Sequence, residues 1–296
     1  MALSRRALEA LSRLLESQTL HGEEDVTYKK VPASVEEFLP GGVVKGRHGE
    51  IYVHERLRSE IERNTRHVVS RCRKAELNLL KSRLEGRAEE LERLGRAGFS
   101  RVVFLDIEST GLFNCPTFLI GTMALCGDDF VIRQFFARDY SEEKCLIEIL
   151  SKHLSQFDAV VTFNGKAFDM PFIRDRAIYH GIRSSNRHLD RLFHLDLLHH
   201  SRRHWRRTLP NCRLQTLELH VCHRRRTGDI PSCEIPRVYH DYVRTGDPYL
   251  LVQVFHHNML DLVTMSELLL ELMALEGILK RTGRRPGKRS RGRARA

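Results

Sequence analysis

The chain has 296 residues, 41% of them hydrophobic and 29% charged, with a formal net charge of +11. That length buries a sizeable core, and the composition is that of a soluble globular protein. The charge is concentrated: Lys280–Ala296 holds nine Lys/Arg and no acid, which leaves the rest of the chain at +2. A body that seeks polyanions over its whole surface is thereby excluded, and nucleic acid becomes a partner for the tail.

In chain order, residues 1–20 read as a short amphipathic helix through Leu3, Leu8, Leu11, Leu14 and Leu15. Charges break its apolar run and no small-residue cleavage site follows, so secretion is not expected. Val43–Val44 and Ile51–Val53 flank a Gly/His turn and predict a small hairpin within 39–57. Residues 71–96 are charged and helix-prone, with Leu77, Leu80, Leu84, Leu91 and Leu94 as a narrow apolar stripe. Residues 1–97 thus form a helix and hairpin extension with no chemistry on its face.

The texture changes at the next segment, 98–279. VVFLDIE, TFLIGTMAL and FVIRQFFA are β-prone, EEKCLIEILSKHL is helix-compatible, DAVVTF is a fourth strand, and NGKAFDMP leads into a helix. The order β-β-β-α-β-α predicts an α/β domain with a mixed sheet of the RNase H-like kind, five strands flanked by helices on both faces. Residues 184–247 read as irregular, a long helix runs from about Pro248 to Leu279, and the basic tail 280–296 is expected to be disordered. The stretch Leu262–Leu279 is interrupted by Glu267, Glu271 and Glu276, so no membrane span is expected. Seven cysteines without a C-x-x-C pair point to a reduced, cytoplasmic setting.

Four carboxylates stand out. Asp106 and Glu108 lie two apart at the end of the first strand and leave the same face as Val102 and Phe104. Two such acids repel each other unless a cation or raised pKa values relieve them, or unless the strand end is frayed and solvated. Asp169 precedes a helix, where an N-cap is the plain alternative. Asn164, with Gly165, most simply makes the turn that leaves the strand, and a substrate contact from Asn164 is the other reading. Asp261 interrupts the stripe Val254, Asn258, Met265, Leu268 and Leu272, an expensive place for a charge that is neither paired nor metal-bound. His257, one turn earlier, is either a satisfied core histidine or an acid–base group.

LDIESTG, TFNGKAFDMPFI and HHNMLDLVTM resemble the three motifs of the DEDD superfamily of 3′→5′ exonucleases, most closely its YprB-like branch of RNase H-like domains, across about residues 100–275. The resemblance implies that Asp106, Glu108, Asp169 and Asp261 bind two divalent ions, Mg²⁺ or Mn²⁺, for phosphodiester hydrolysis, with Asp106 bridging both. It places the general base at His256 or His257. An unbroken helix sets the i−4 residue about 40° from Asp261 and the i−5 residue about 140° away, which favours His257.

The expected partner is DNA or RNA with single-stranded 3′ ends. Arg202 and Arg206 flank Trp205, which offers either a stacking surface for a base or a packing anchor. The segment 223–226 (HRRR) supplies further cations near the site, unless these form a solvated face. A zinc site among Cys212, His220, Cys222, His223 and Cys233 matches no standard spacing. Two rival functions stay open: a structure-selective endonuclease with the same acids, and a non-catalytic nucleic-acid-binding protein. No protein partner can be inferred.

Overall fold

The computed structural model describes residues 34–81, 89–182 and 189–280. The expected N-terminal helix over 1–20 and the tail beyond residue 280 lie outside the described residues. The described chain opens with a short helical turn α1 (Val35–Phe38), the hairpin β1 (Gly41–Gly46) and β2 (Gly49–Leu57), and three helices, α2 (Arg58–Ile61), α3 (Thr65–Lys81) and α4 (Glu89–Ala97). The strands β3 (Val102–Ser109), β4 (Thr117–Cys126) and β5 (Asp129–Phe136) follow, then α5 (Glu143–Leu154), β6 (Ala159–Thr162) and α6 (Asp169–Tyr179). The rest is β7 (Phe193–Asp196), α7 (Leu197–Trp205), α8 (Leu214–His220), α9 (Ile235–Thr245) and α10 (Leu251–Leu275).

The strands form one mixed sheet in the order β1-β2-β5-β4-β3-β6-β7. β3, β6 and β7 run parallel, and the remaining pairs are antiparallel. Five strands come from residues 102–196, as the pattern predicts. The hairpin adds two more, because β2 pairs along β5 from Tyr52–Phe136 to Leu57–Val131. The segment 184–247 is less irregular than its His- and Arg-rich composition suggests, since it holds β7 and three helices among the described residues.

Alternation along β3 separates two cores. Val102 and Phe104 join α3, α4 and α10, whereas Val103, Leu105 and Ile107 pack under α5 and α6. In α3 the buried stripe runs through Val68, Cys72, Ala75 and Leu79, while Leu77 and Leu80 face outward. The predicted leucine stripe fails in α3 because Leu77 and Leu80 lie off its buried face, whereas Leu91 and Leu94 are buried on α4 and Leu84 lies outside the described residues. α10 is buried almost all round, as the central helix across β3 and β4. Among the described residues no helix is long and apolar enough to cross a membrane.

Candidate nuclease site

β6 pairs with β3 only from Val102 to Phe104, and the chain then leaves the sheet at Phe163. Asp106 and Glu108 therefore stand beyond the carboxyl end of the parallel strands, where open α/β sheets leave a crevice. The crevice is a cavity of about 600 Å³. All four predicted acids line it, together with His257, Asn164 and Arg202. His256, Trp205 and Arg206 are not in its lining.

Asp169 does not cap its helix. Phe168 holds the N-cap position and makes no side-chain bond, while Asp169 opens the helix with its carboxylate buried. Asn164 takes a left-handed conformation, φ +67°, and makes the turn. Asp196, at the end of β7, clamps that turn by accepting the backbone N–H groups of Asn164 (2.8 Å) and Lys166 (3.0 Å).

Burial pushes the Asp106 carboxyl well above the usual range, and the charges of Asp261, Glu108 and Asp169 add to it. Burial likewise lifts Glu108 to about 8, with His257 opposing and Asp261 and Asp169 assisting. Asp169 rises to about 7 through burial, against hydrogen bonds from its own backbone and that of Ile107. Such shifts in one cleft mark charge held without compensation.

The fourth acid differs. Arg226 Nη2 donates to Asp261 Oδ1, Nε donates to Glu218 Oε2, and Nη1 donates to Asp229 Oδ2 at 3.1 Å. The ion pair that a structural Asp261 requires is therefore present. Segment 223–226 alternates like a strand: His223 and Arg225 face solvent, while Arg224 and Arg226 turn inward to carboxylates. Two of its three arginines are thus spent on internal ion pairs, which corrects the expectation of a substrate-facing run.

α10 is continuous from Leu251, so His257 faces Asp261, with Nε2 at 3.6 Å from Oδ2, and its Nδ1 lies 2.7 Å from Asp229 Oδ1. Burial opposes a charge on His257, but Asp229, Asp261 and Glu108 outweigh it and lift the ring to about 9. His256, one position earlier, points off the cavity, and burial lowers its pKa. Trp205 packs, half-buried, against the larger core, and Arg206 is exposed. Neither residue lines the cavity that the acids face.

Sequence reasoning missed Asp196, Asp229, Arg226, the cavity-lining Arg213, and Asn258, whose Nδ2 donates to Asp106 Oδ2 at 2.8 Å. An Asp that closes a short β-prone run ahead of a helix-prone stretch, as in FHLDLL, is the signal that could have flagged Asp196.

Among the described residues no three His, Cys, Asp or Glu side chains stand as a ready-made metal cluster. The acids face a common space rather than a closed cage. Their chemistry nonetheless fits hard divalent ions: an all-oxygen donor set, three members of which are forced toward protonation, with a guanidinium already standing on the fourth.

A family model described as the RNase_H superfamily matches residues 103–273. The uncharacterized protein YprB of Bacillus subtilis (strain 168) is 31% identical over 186 residues, which is 60% of this chain and 44% of that protein. The match thus spans less than half of that relative. A family B DNA polymerase from the hyperthermophilic archaeon Pyrobaculum calidifontis aligns over 58% of this chain and 24% of its own, at 18% identity and a TM-score of 0.46. That likeness is too slight to bear on function.

Proposed function

The chain belongs to the RNase_H superfamily, and on that premise we propose that it is a metal-dependent nuclease, a DEDD-type 3′→5′ exonuclease. One observation carries the reading. Asp106, Glu108 and Asp169 come from two distant segments to face one cavity, and among the described residues no Lys or Arg pairs with them. A fold does not keep such repulsion for stability.

Asp106, Glu108, Asp169 and Asp261 would hold two Mg²⁺ or Mn²⁺ ions. When bound, such ions activate the attacking water and offset charge on the entering and leaving oxygens. His257 Nε2 faces the cavity and accepts the water's proton, while Asp229 holds the ring through Nδ1. Neutralising Asp261 and Glu108 removes part of the charge that keeps this ring protonated, while Asp229 keeps its bond to Nδ1. Arg202 and Arg213, both exposed on the lining, meet the phosphate backbone, and Asn164 lies beside them. The substrate is a single-stranded 3′ end of DNA or RNA, and the product a nucleoside 5′-monophosphate. The tail 280–296 adds sequence-independent, salt-sensitive affinity. All seven cysteines are free, which suits the reducing cytoplasm.

A time course on 3′- and 5′-labelled single-stranded DNA and RNA with Mg²⁺ or Mn²⁺ tests this. Stepwise shortening from the 3′ end, with circles left intact, is expected. Cleavage of circular substrates would make the protein an endonuclease, and no cleavage of any substrate would leave only binding.

A further inference from the structure

Asp106, Gly121 and Gln134 are register partners across the adjacent strands β3, β4 and β5 and form one row beneath α10. Asn258, fully buried on α10, lies over the middle of that row. A Cβ on Gly121 would sit 2.0 Å from Asn258 Oδ1 and 2.9 Å from Nδ2, so only glycine admits the amide. On one side Gln134 Nε2, also fully buried, donates to Asn258 Oδ1 at 2.9 Å and to the Phe255 carbonyl at 2.8 Å. On the other, Asn258 Nδ2 donates to Asp106 Oδ2 at 2.8 Å and to the Asp106 carbonyl at 3.2 Å.

The direction of this chain is dictated from its far end. The Phe255 carbonyl can only accept, so Gln134 must present its NH₂. Asn258 then presents oxygen to Gln134 and its own NH₂ to Asp106. Flipping either amide would set oxygen against oxygen in a dry interior, at the cost of unmade buried hydrogen bonds. A donor fixed in this way holds one oxygen of Asp106 in place at the edge of the cavity that Asp106 lines.

We propose that Asn258, admitted by Gly121 and oriented by Gln134, is the positioning residue that aims Asp106 for metal binding. This rests on the nuclease reading above and names the residue on which its first acid depends. The three parts come from separate strands and a helix, and none serves another visible purpose in the cavity.

The test is Mn²⁺ titration of the full chain by calorimetry, beside melts in EDTA. Asn258→Ala and Gly121→Ala should each weaken Mn²⁺ binding about ten- to a hundred-fold, the worth of one hydrogen bond to a charged group. The double variant should lose no more than either single one, because both break the same contact. Gln134→Met, which keeps bulk and removes the donor, should give a smaller loss and covers the case in which Asn258→Ala does not fold. Asp106→Asn separates the two readings. Near-wild-type Mn²⁺ affinity in the Asn258, Gly121 and Gln134 variants, with affinity lost in Asp106→Asn, overturns the positioning role and leaves the metal site standing. Unchanged affinity in Asp106→Asn overturns both.

Discussion

α10 takes part in two charged regions that obey opposite rules. Toward its C-terminal half, Glu267 meets Arg58 at 2.6 Å and Arg224 at 3.1 Å, and Arg224 reaches Glu62 at 2.9 Å. Every carboxylate of that cluster has a guanidinium in contact, and Arg58 is fully buried among its partners. Two turns earlier, Asp261 borders a cavity in which burial, aided by neighbouring carboxylates, raises the pKa of Asp106, Glu108 and Asp169 without such a partner. Both regions bury charge. The first binds the helix to the elements around it, and the second, on the proposed function, holds repulsion that a cation from solution would relieve. Asp261 sits on the boundary, with Arg226 on one oxygen and His257 near the other.

The largest difference should appear in turnover. Asp106→Asn keeps the shape and removes one repelling charge, so nuclease activity should fall by more than about 100-fold while the melt in EDTA stays at or above wild type. A variant that melts well below wild type would class Asp106 with the paired acids. Glu267→Gln should do the reverse. It leaves Arg58 buried without its carboxylate and should cost about 3–5 kcal/mol in urea unfolding. Turnover of the folded variant should be unchanged.

Asp261→Asn should fall between these two. Arg226 keeps Glu218 and Asp229 after the change, so the loss in EDTA should be about 1.5–3 kcal/mol, the scale of one hydrogen bond to a charged group. Activity should still collapse. A loss as large as that of Glu267→Gln, with activity retained, would make Asp261 a structural residue.

The subtlest effect is on pH dependence. His257, Glu108 and Asp169 all have folded pKa values above their ordinary ones, near 9, 8 and 7 respectively. Such groups contribute stability in full below their ordinary values and lose it as the pH rises through the folded ones. The contribution of these three groups in the metal-free protein should therefore fall from about pH 4 to 9, while half-buried His153 and His194, both lowered to about 4, add stability as the pH rises toward their ordinary value. Glu108→Gln should flatten the part of that curve below pH 8, and a chemical denaturation series in EDTA reads both slopes.

The contrast was only half legible in the sequence. Asp106 and Glu108 announce themselves as two acids on one face of an otherwise apolar strand, and Asp261 as an acid within an apolar helix. Their convergence was expected from the resemblance of LDIESTG, TFNGKAFDMPFI and HHNMLDLVTM to the three exonuclease motifs, not from composition or spacing. The partners did not show. Arg226 and Asp229 belong to a loop about thirty positions from Asp261 and His257, and alternation along that loop, rather than composition, decides which arginines turn inward. Asn258 gains meaning only from Gly121 and Gln134, which strand register alone brings beneath it. The hairpin was legible from its turn, but its place along β5 depends on non-local pairing that local propensity does not encode. Trp205 among four arginines suits stacking and packing equally until the core beneath it is known.

The most direct measurement is the shift in melting temperature on adding Mn²⁺ at pH 8 to wild type, Asp106→Asn and Glu267→Gln, each compared with its own melt in EDTA. If the unpaired acids form a metal site, wild type and Glu267→Gln should gain together, by about 2.7 kcal/mol at a hundredfold excess over Kd. Asp106→Asn should gain little. An equal gain in all three proteins, or none in wild type, would contradict a metal site at Asp106.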